Sequence, residues 1–143
     1  RVAVKDRICT VCGSVIEDKN KHKQCYHCYG KAEMVKATDS AEAYLKYKHR
    51  RIKARAKERD FDFDLSVDDL LDLYEQQGGF CSLSRLPMTH SQESPDYCIS
   101  VDRIDNDKGY TKDNVTLVCY RANMMRNELS LEMFSWWVRQ IAK

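Results

Sequence analysis

The sequence contains no long apolar run and very little net charge. No apolar stretch among its 143 residues approaches the roughly 20 that a membrane-spanning helix needs, and no signal-like apolar segment is present. Internal repeats and low-complexity segments are missing as well, and the formal net charge is only +2. These absences argue against a membrane protein and a general polycation. A hydrophobic fraction of 43% suffices for one compact domain and a small appendage.

Seven cysteines are an odd number, which does not suit a framework made of disulfides alone. Four of them form two CxxC pairs, Cys9–Cys12 and Cys25–Cys28, with twelve residues between the pairs. Two CxxC turns complete the tetrahedral set of four thiolates that Zn²⁺ prefers, with no position left open for substrate. Without a signal segment, the pattern indicates metal binding in a reducing compartment. We predict a structural zinc knuckle within residues 1–36, in which His22 or His27 is an alternative ligand.

Charge is distributed unevenly along the chain. Positions 46–59 hold eight Lys and Arg residues and one Glu, whereas positions 60–75 hold seven acids and no Lys or Arg. A basic stripe in a nearly neutral protein points to an anionic partner, although solvation or internal pairing with the acids would also account for it. We favour contact with a nucleic-acid backbone. The stripe consists of Lys46, Lys48, Arg50, Arg51, Lys53, Arg55, Lys57 and Arg59.

Hydrophobic periodicity predicts helices arranged around one hairpin. Helices are expected over residues 40–59, 67–77, 119–129 and from 130 onward, and strands over 97–101 and 115–118. Asp39 or Ser40 would cap the first helix, with Ala41, Leu45, Ile52 and Ala56 on its packed face. Residues 61–65 alternate between Phe and Asp, which predicts a short extended segment.

The two helices at either side of the hairpin have their own sequence signals. Ser66 is expected to cap the second helix, in which Leu65 and Leu70 form a hydrophobic staple. Ser130 is expected to cap the last helix, and its predicted apolar face consists of Leu131, Phe134, Val138 and Ile141. For the adjacent Trp136 and Trp137 we favour core or dimer packing over stacking on nucleic-acid bases.

The segment from Ser100 to Asn123 carries the most informative pattern. Asp102-Arg103 directly follows the first predicted strand, Asn114 precedes the second, and Asn123 lies in the following helix. This pattern resembles the HNH endonucleases, in which an Asp-His, a hairpin Asn and a helix Asn or His occupy these places. The two CxxC pairs are similar to those of small zinc-bound HNH restriction endonucleases. The basic helix, the acidic Leu-rich helix after it and the segment 78–88 resemble phage-associated HNH proteins. The resemblance implies an α+β fold with a ββα-metal hairpin–helix core and surrounding helices.

The resemblance also implies a second metal centre. Asp102 and Asn123 would bind a catalytic Mg²⁺ or Mn²⁺ ion, and Asn114 would tie the two arms of the hairpin together. Carboxylate and amide oxygens are hard ligands, and one of each leaves most of the ion's coordination shell to water and a phosphate. Such an ion neutralises charge that develops on a phosphodiester during hydrolysis.

The general base is the open question. Arg103 stands where relatives have His, and a guanidinium cannot readily accept a proton. We therefore expect Arg103 to grip the scissile phosphate through two N–H groups. The base would then be His90, Tyr97, Tyr110 or a water molecule.

Many relatives hold another zinc through two CxxC pairs that flank the hairpin. Those pairs would need cysteine at positions 84 and 122, which hold Ser84 and Ala122. We therefore expect that zinc to be absent, with a second zinc that also uses His90 as the alternative. The three remaining cysteines would be core residues. They are Cys81, Cys98 and Cys119.

The sequence thus predicts a metal-dependent DNA endonuclease in the cytoplasm of a bacterial or phage-infected cell. It could be a phage or mobile-element nuclease or nickase, or a restriction enzyme, and a homodimer is compatible with it. Its segments would be a zinc knuckle (1–36), a basic linker helix (37–60) and a nuclease domain (61–143). One alternative is a nucleic-acid-binding module that kept the fold and lost catalysis. A zinc-ribbon protein that docks only other proteins would leave the basic helix unexplained.

Overall fold

The computed structural model of the protein describes residues 7–16, 23–25, 28–29, 31 and 38–143. Its contacts divide the chain into two compact units, residues 1–37 and residues 38–143. The predicted alternative ligands His22 and His27 lie outside the described residues. Among the helices that are described, none combines the length and the apolar character that a membrane span requires.

The first unit contains a very short antiparallel ladder. Strand β1 (Arg7–Ile8) pairs with strand β2 (Val15–Ile16). Between them the chain turns at Gly13, whose φ of +74° lies in the left-handed region that favours glycine. Among the described residues of this unit, Cys9 and Ile16 are the ones that are buried. The described part of this unit therefore buries little apolar surface.

The second unit, described throughout, is an α+β arrangement. Its helices are α1 (Ala41–Glu58), α2 (Val67–Gln76), α3 (Tyr120–Arg126) and α4 (Leu131–Ile141). Strands β3 (Ile99–Arg103) and β4 (Val115–Cys119) form an antiparallel hairpin in which Asp102 lies opposite Thr116. The predicted order of hairpin and helix is confirmed, with β3 beginning two residues later than predicted. A 3-10 turn at Pro95–Tyr97 occupies the place where that strand was expected to start.

Three helices begin at the serines that the sequence singles out. Ser40, rather than Asp39, caps α1, because its hydroxyl accepts a hydrogen bond from the Ala43 N–H at 3.0 Å. Ser66 and Asp69 form a reciprocal capping box at the start of α2. Ser130 caps α4 in the same way as Ser40 caps α1. Each such cap typically contributes about 1 kcal/mol.

Helix α1 packs through a narrow stripe and leaves its basic face exposed. The buried stripe consists of Tyr44, Leu45, Ile52 and Ala56, whereas the predicted Ala41 is only half-buried. Tyr44 is therefore part of the packed face of α1, to which Ala41 contributes less than predicted. Of the eight basic residues in the stripe defined above, Lys48 is half-buried and the other seven are exposed.

The side chain of Gln77 completes the edge of β4. Its amide nitrogen donates to the carbonyl oxygens of Leu117 and Phe80, each at 2.8 Å. Its carbonyl oxygen accepts from the Leu117 N–H at 3.0 Å and from the Thr116 hydroxyl at 3.2 Å. One side chain thus supplies the donor and the acceptor that a neighbouring strand would supply. This links the end of α2 to the hairpin that carries the site.

The segment after α1 crosses the hairpin loop at very close range. Phe63 forms a single parallel bridge with Tyr110, and the Tyr110 N–H donates to the Asp62 carbonyl at 2.8 Å. A Cβ added to Gly109 would lie 2.2 Å from that same carbonyl oxygen, so only glycine fits there. The predicted alternation of the segment is confirmed, because Asp62 and Asp64 are exposed between partly buried neighbours.

Helix α4 forms where predicted but buries no residue. Val138 and Ile141, on its predicted packing face, are 41% and 80% exposed. Trp136 and Trp137 pack edge to face on each other with ring centroids 4.9 Å apart, and each is nearly half exposed. Core packing of the two tryptophans is therefore wrong for this chain. Helical periodicity shows that a face is apolar, but it does not show what covers that face.

Candidate functional site

The four cysteines of the two CxxC pairs come together in the first unit. The Sγ atoms of Cys9, Cys12, Cys25 and Cys28 all lie within 4.8 Å of one another. Each pair sits in a turn closed by a backbone hydrogen bond, from Gly13 N to Cys9 O at 3.0 Å and from Tyr29 N to Cys25 O at 2.9 Å. We refer to this group as the four-cysteine cluster.

The electrostatics of the four-cysteine cluster fit a divalent cation. Backbone N–H groups of Cys12 and Cys25 lower the pKa of the Cys9 thiol to about 6. The neighbouring sulfur atoms of Cys12 and Cys25, in contrast, raise the pKa of Cys28 to about 12. Four thiols this close cannot all ionise unless a cation offsets their mutual repulsion. Four sulfur donors that leave no ligand position open are the set that a structural Zn²⁺ takes.

The other three cysteines are buried, as the sequence predicts. The Cys81 sulfur accepts hydrogen bonds from the backbone N–H groups of Cys119 at 3.2 Å and Ser84 at 3.4 Å. Cys98 donates to the Ser91 carbonyl at 3.2 Å. Across the described parts of the chain, no other group of three or more His, Cys, Asp or Glu side chains is placed to hold a metal ion. His90, the alternative ligand for a second zinc, makes a hydrogen bond with the Thr38 carbonyl instead.

Asp102 lies at the end of β3 and is held by a residue that sequence reasoning missed. Arg126, the last residue of α3, is fully buried, and its Nη1 donates to Asp102 Oδ2. The same guanidinium donates to the backbone carbonyls of Arg103 at 2.6 Å and Ile104 at 2.7 Å. Burial raises the pKa of Asp102, and the Arg126 guanidinium opposes that rise. The helical spacing of Asn123 and Arg126 is the signal that could have placed Arg126 on the site face.

Asn123 lies in the middle of α3 and faces the same strand. Its Nδ2 donates to the Ser100 hydroxyl at 2.8 Å, which fixes the amide plane and turns its oxygen away from Ser100. Asp102 on β3 and Asn123 on α3 thus carry a carboxylate and an amide oxygen, which are hard donors. Such donors suit Mg²⁺ or Mn²⁺ and do not suit a thiophilic metal.

Asn114, which directly precedes β4, forms hydrogen bonds to both sides of the hairpin loop. Its oxygen accepts from the Asp105 N–H at 2.9 Å, and its Nδ2 donates to the carbonyls of Asp105 at 3.0 Å and Gly109 at 2.8 Å. A buried side chain thus joins the end of the first arm to the start of the second. The loop that carries Arg103 and Tyr110 is held in shape by these bonds.

Arg103 points into the hairpin loop. Its Nη1 donates to the carbonyls of Asn106 and Lys108, both at 2.9 Å. Its guanidinium also stacks over the rings of Phe61 at 4.3 Å and Tyr110 at 5.4 Å. The remaining N–H groups of a guanidinium, which has five, are those with which Arg103 could meet a phosphate.

Asp102, Arg103 and Asn123 border one cavity of about 670 Å³ between α1 and the hairpin with α3. The hairpin and α3 contribute Asp102, Arg103, Tyr110, Asn123 and Asn127, and α1 contributes Lys48, Arg51, Arg55 and Glu58. We call this cavity the basic pocket. Burial lowers the pKa of Lys48, and the nearby positive charge of Arg51 adds to this effect. The pocket can receive an anion that is large enough to touch both walls.

The predicted base candidates separate in space. Tyr110 lines the basic pocket, whereas His90 and Tyr97 are not among the residues that border it. Tyr120, the first residue of α3, also borders it and is 40% exposed. No sequence signal singles out Tyr120, because a Tyr at a helix start has no special pattern.

The basic residues of α1 divide between two faces. Lys48, Arg51 and Arg55 border the basic pocket. Arg50, Lys53 and Lys57 border a separate groove formed with residues 61–63. Lys46 forms an exposed ion pair with Glu42 at 2.7 Å. The helix therefore presents positive charge over a broad surface, of which one part faces Asp102.

Comparison with known proteins gives one similarity in structure. No family model and no curated protein matches the sequence. A solved structure described as the rare-cutting HNH restriction endonuclease PacI aligns over 94% of this chain and 92% of its own, with a TM-score of 0.51. The two sequences share 15% identity. At that identity the similarity supports a fold of the HNH type for this chain.

Proposed function

We propose that the protein is a metal-dependent endonuclease that hydrolyses phosphodiester bonds in DNA. The observation that carries the proposal is the basic pocket, in which Asp102 and Asn123 face the cations of α1. An acid and an amide suited to a hard divalent ion thus share one cavity with cations suited to phosphate. Neither half alone would indicate nuclease chemistry. The similar structure is that of a DNA endonuclease, which agrees with the proposal.

The residues of the pocket have separable roles in this mechanism. Lys48, Arg51 and Arg55 hold the phosphate backbone and position the bond to be cut. Asp102 and Asn123 would hold a Mg²⁺ or Mn²⁺ ion, which supplies charge neutralisation at the phosphodiester when bound.

Arg103 and Tyr110 act on the reacting phosphate in this proposal. Arg103 donates its free N–H groups to a phosphate oxygen and stabilises the pentacoordinate state. Tyr110 is the one among the three predicted base side chains that borders the pocket, so we assign it the proton of the attacking water. The stacking of Arg103 on its ring places a positive charge beside the phenol. A second water molecule is the alternative proton acceptor.

A second candidate function has one observation in its favour. The Nη1 group of Arg103 is already bonded to two loop carbonyls, and no His borders the basic pocket. A site without a ready base would suit a nucleic-acid-binding module that kept the fold and does not cut. Both functions require the basic pocket, so binding of DNA does not distinguish them.

Incubation with supercoiled plasmid DNA decides between the two. We expect nicked or linear product with Mg²⁺ or Mn²⁺ and none with a chelator. Asp102→Asn should abolish cleavage while DNA binding persists. Asp96→Asn is the matched control, because Asp96 pairs with Arg121 on the surface and does not border the pocket. Binding of DNA with no cleavage in any divalent metal would favour the non-catalytic module.

A further inference from the structure

The single carboxylate on the hairpin side of the basic pocket is already neutralised. Arg126 is fully buried and is bound to Asp102 Oδ2, while Asp102 itself is only 5% exposed. The guanidinium is fixed further by the carbonyls of Arg103 and Ile104. A buried ion pair with this many bonds does not open without a large cost. The negative charge of Asp102, which would attract a cation, is therefore offset by the Arg126 guanidinium.

The rest of the pocket also opposes a cation. Lys48, Arg51, Arg55 and Arg103 border it, against Glu58 and Asp102. Positive charges lining a concave site raise its potential and repel a divalent ion over several ångströms. Asn123 offers an oxygen but no charge. The oxygen donors thus suit a hard ion, while the net charge around them excludes it.

From this we propose that the catalytic ion does not bind to the free protein, and that a DNA phosphate in the basic pocket completes its site. Arg126 is the positioning residue that sets this order. It holds Asp102 in place and removes the negative charge on which ion binding without DNA would depend. The inference rests on the proposed function, because it concerns the same Asp102 and Asn123 site. It adds that metal and DNA bind with positive coupling, each raising the affinity for the other.

This order has a functional consequence. A nuclease whose ion site is empty until DNA arrives has no metal-activated water in the free state. The basic residues that repel the ion also attract the DNA backbone. They therefore set both the affinity of the protein for DNA and the dependence of ion binding on DNA. Raising the salt concentration should therefore weaken ion binding to the complex, because it weakens the phosphate contacts first.

Direct measurement of Mn²⁺ binding tests the inference without relying on cleavage. The full chain, with zinc bound at the four-cysteine cluster, is titrated with Mn²⁺ and the free ion is followed by electron paramagnetic resonance. We expect the free protein to bind no tighter than about 1 mM and to be indistinguishable from Asp102→Asn. Arg126→Gln removes the opposing charge, so its Mn²⁺ affinity should rise about tenfold or more. Arg121→Gln, a surface position on the same helix, should leave the affinity as it was.

Arg126→Gln also removes three hydrogen bonds and could unfold the second unit. Its circular dichroism and zinc content are therefore compared with those of the unaltered protein. If it is unfolded, Arg51→Gln with Arg55→Gln is used instead, because these exposed residues remove pocket charge without touching the buried pair. Tighter Mn²⁺ binding in a folded variant supports the inference. Tight, Asp102-dependent binding to the unaltered free protein overturns it.

The second arm adds a mixed-sequence DNA duplex. Mn²⁺ bound by the unaltered complex, minus that bound by the Asp102→Asn complex, gives occupancy of the proposed site alone. We expect this difference to appear with DNA and to be absent without it. No difference in either state overturns the inference. A protein that cuts plasmid but binds Mn²⁺ tightly when free would refute the binding order and leave the proposed nuclease function standing.

Discussion

Two turns in this chain share a backbone hydrogen bond and a left-handed residue, but they differ in chemistry. In the first unit, Gly13 N donates to Cys9 O at 3.0 Å and Gly13 has a φ of +74°. In the second unit, Arg85 N donates to Cys81 O at 2.9 Å and Arg85 has a φ of +63°. The fourth residue of the turn is Cys12 in one and Ser84 in the other. The same turn can therefore hold a metal ligand or a hydroxyl, and the backbone does not decide which.

What surrounds each turn explains the difference. In the second unit, Leu45, Leu70, Ile99 and Leu117 are fully buried, so a core stabilises the fold without a metal. Burial and the adjacent Cys81 raise the pKa of Cys119 to about 11, against a hydrogen bond from Ser84. That thiol remains protonated at neutral pH. The described part of the first unit has no comparable core, and its four clustered sulfur atoms could bind a metal ion.

The largest expected effect is the loss of the first unit on zinc removal. We expect one zinc per chain, and Cys9→Ser should release it, because three thiols give a much weaker site. Structural zinc in small domains contributes about 10–16 kcal/mol of binding free energy, so the released unit should unfold. Metal analysis and amide hydrogen exchange of both units measure this. Cys98→Ser is the control, and an unchanged zinc content in Cys9→Ser would contradict the assignment of the four ligands.

The next largest effect is expected when the turn at Cys81 is given the metal ligands that the turn at Cys9 has. Ser84→Cys together with Ala122→Cys restores a thiol in each half of the second locus. Position 122 lies in the first turn of α3, three residues after Cys119, which is the N-cap residue of that helix. We expect the double variant to bind two zinc ions per chain and each single variant to bind one. A double variant that still holds one zinc would show that the second turn lacks the geometry despite its matching backbone.

The second unit should be destabilised by a steric clash and not by the loss of a metal ion. Gly109→Ala puts a methyl group 2.2 Å from the Asp62 carbonyl, so the segment over residues 61–64 must move. We expect a loss of about 3 kcal/mol in the free energy of unfolding. Urea denaturation followed by tryptophan fluorescence measures it, and the zinc content should not change. Ser84→Ala, which leaves the hairpin loop untouched, is the comparison variant and should have a much smaller effect.

The parts of the molecule that the sequence predicted are those governed by local rules. Ser40, Ser66 and Ser130 mark helix starts because a cap needs only its own turn of helix. The four-cysteine cluster follows from spacing, since each CxxC pair is itself a local motif. The hairpin arms and Asn114 followed from a resemblance whose residues lie close together in sequence.

The parts that the sequence could not predict depend on contacts across the fold. Arg126 gives no sign in the sequence that it is buried, and its partner Asp102 lies 24 positions away. The separation of Tyr110 from His90 and Tyr97 likewise depends on how the loops pack. Whether the apolar face of α4 is covered depends on a surface outside that helix. In each case the missing information is tertiary. Helical spacing places Arg126 on the same face as Asn123, but it does not show that the side chain is buried against Asp102.

The smallest expected effect concerns the one residue at which the two turns differ in backbone cost. The first turn has glycine at the left-handed position, and the second has Arg85 there. A side chain in that conformation destabilises the folded protein by roughly 1–2 kcal/mol. Replacing it with glycine removes this strain, but glycine also raises the entropy of the unfolded chain, which offsets part of the gain. Arg85 is exposed, so its removal breaks no buried contact. Arg85→Gly should therefore raise the free energy of unfolding by about 0.5–1 kcal/mol and leave the zinc content unchanged.

Arg85→Ala separates backbone strain from any role of the guanidinium. It removes the same charge but keeps a Cβ at the left-handed position, so it should stabilise the protein less than Arg85→Gly. Urea midpoints for the two variants give the comparison directly. Equal midpoints would mean that the turn at Cys81 carries no strain, and that its likeness to the turn at Cys9 ends at the hydrogen bond. A urea midpoint for Arg85→Gly below that of the unaltered protein would show that the Arg85 side chain stabilises its turn. The corresponding turn in the first unit has glycine at that position.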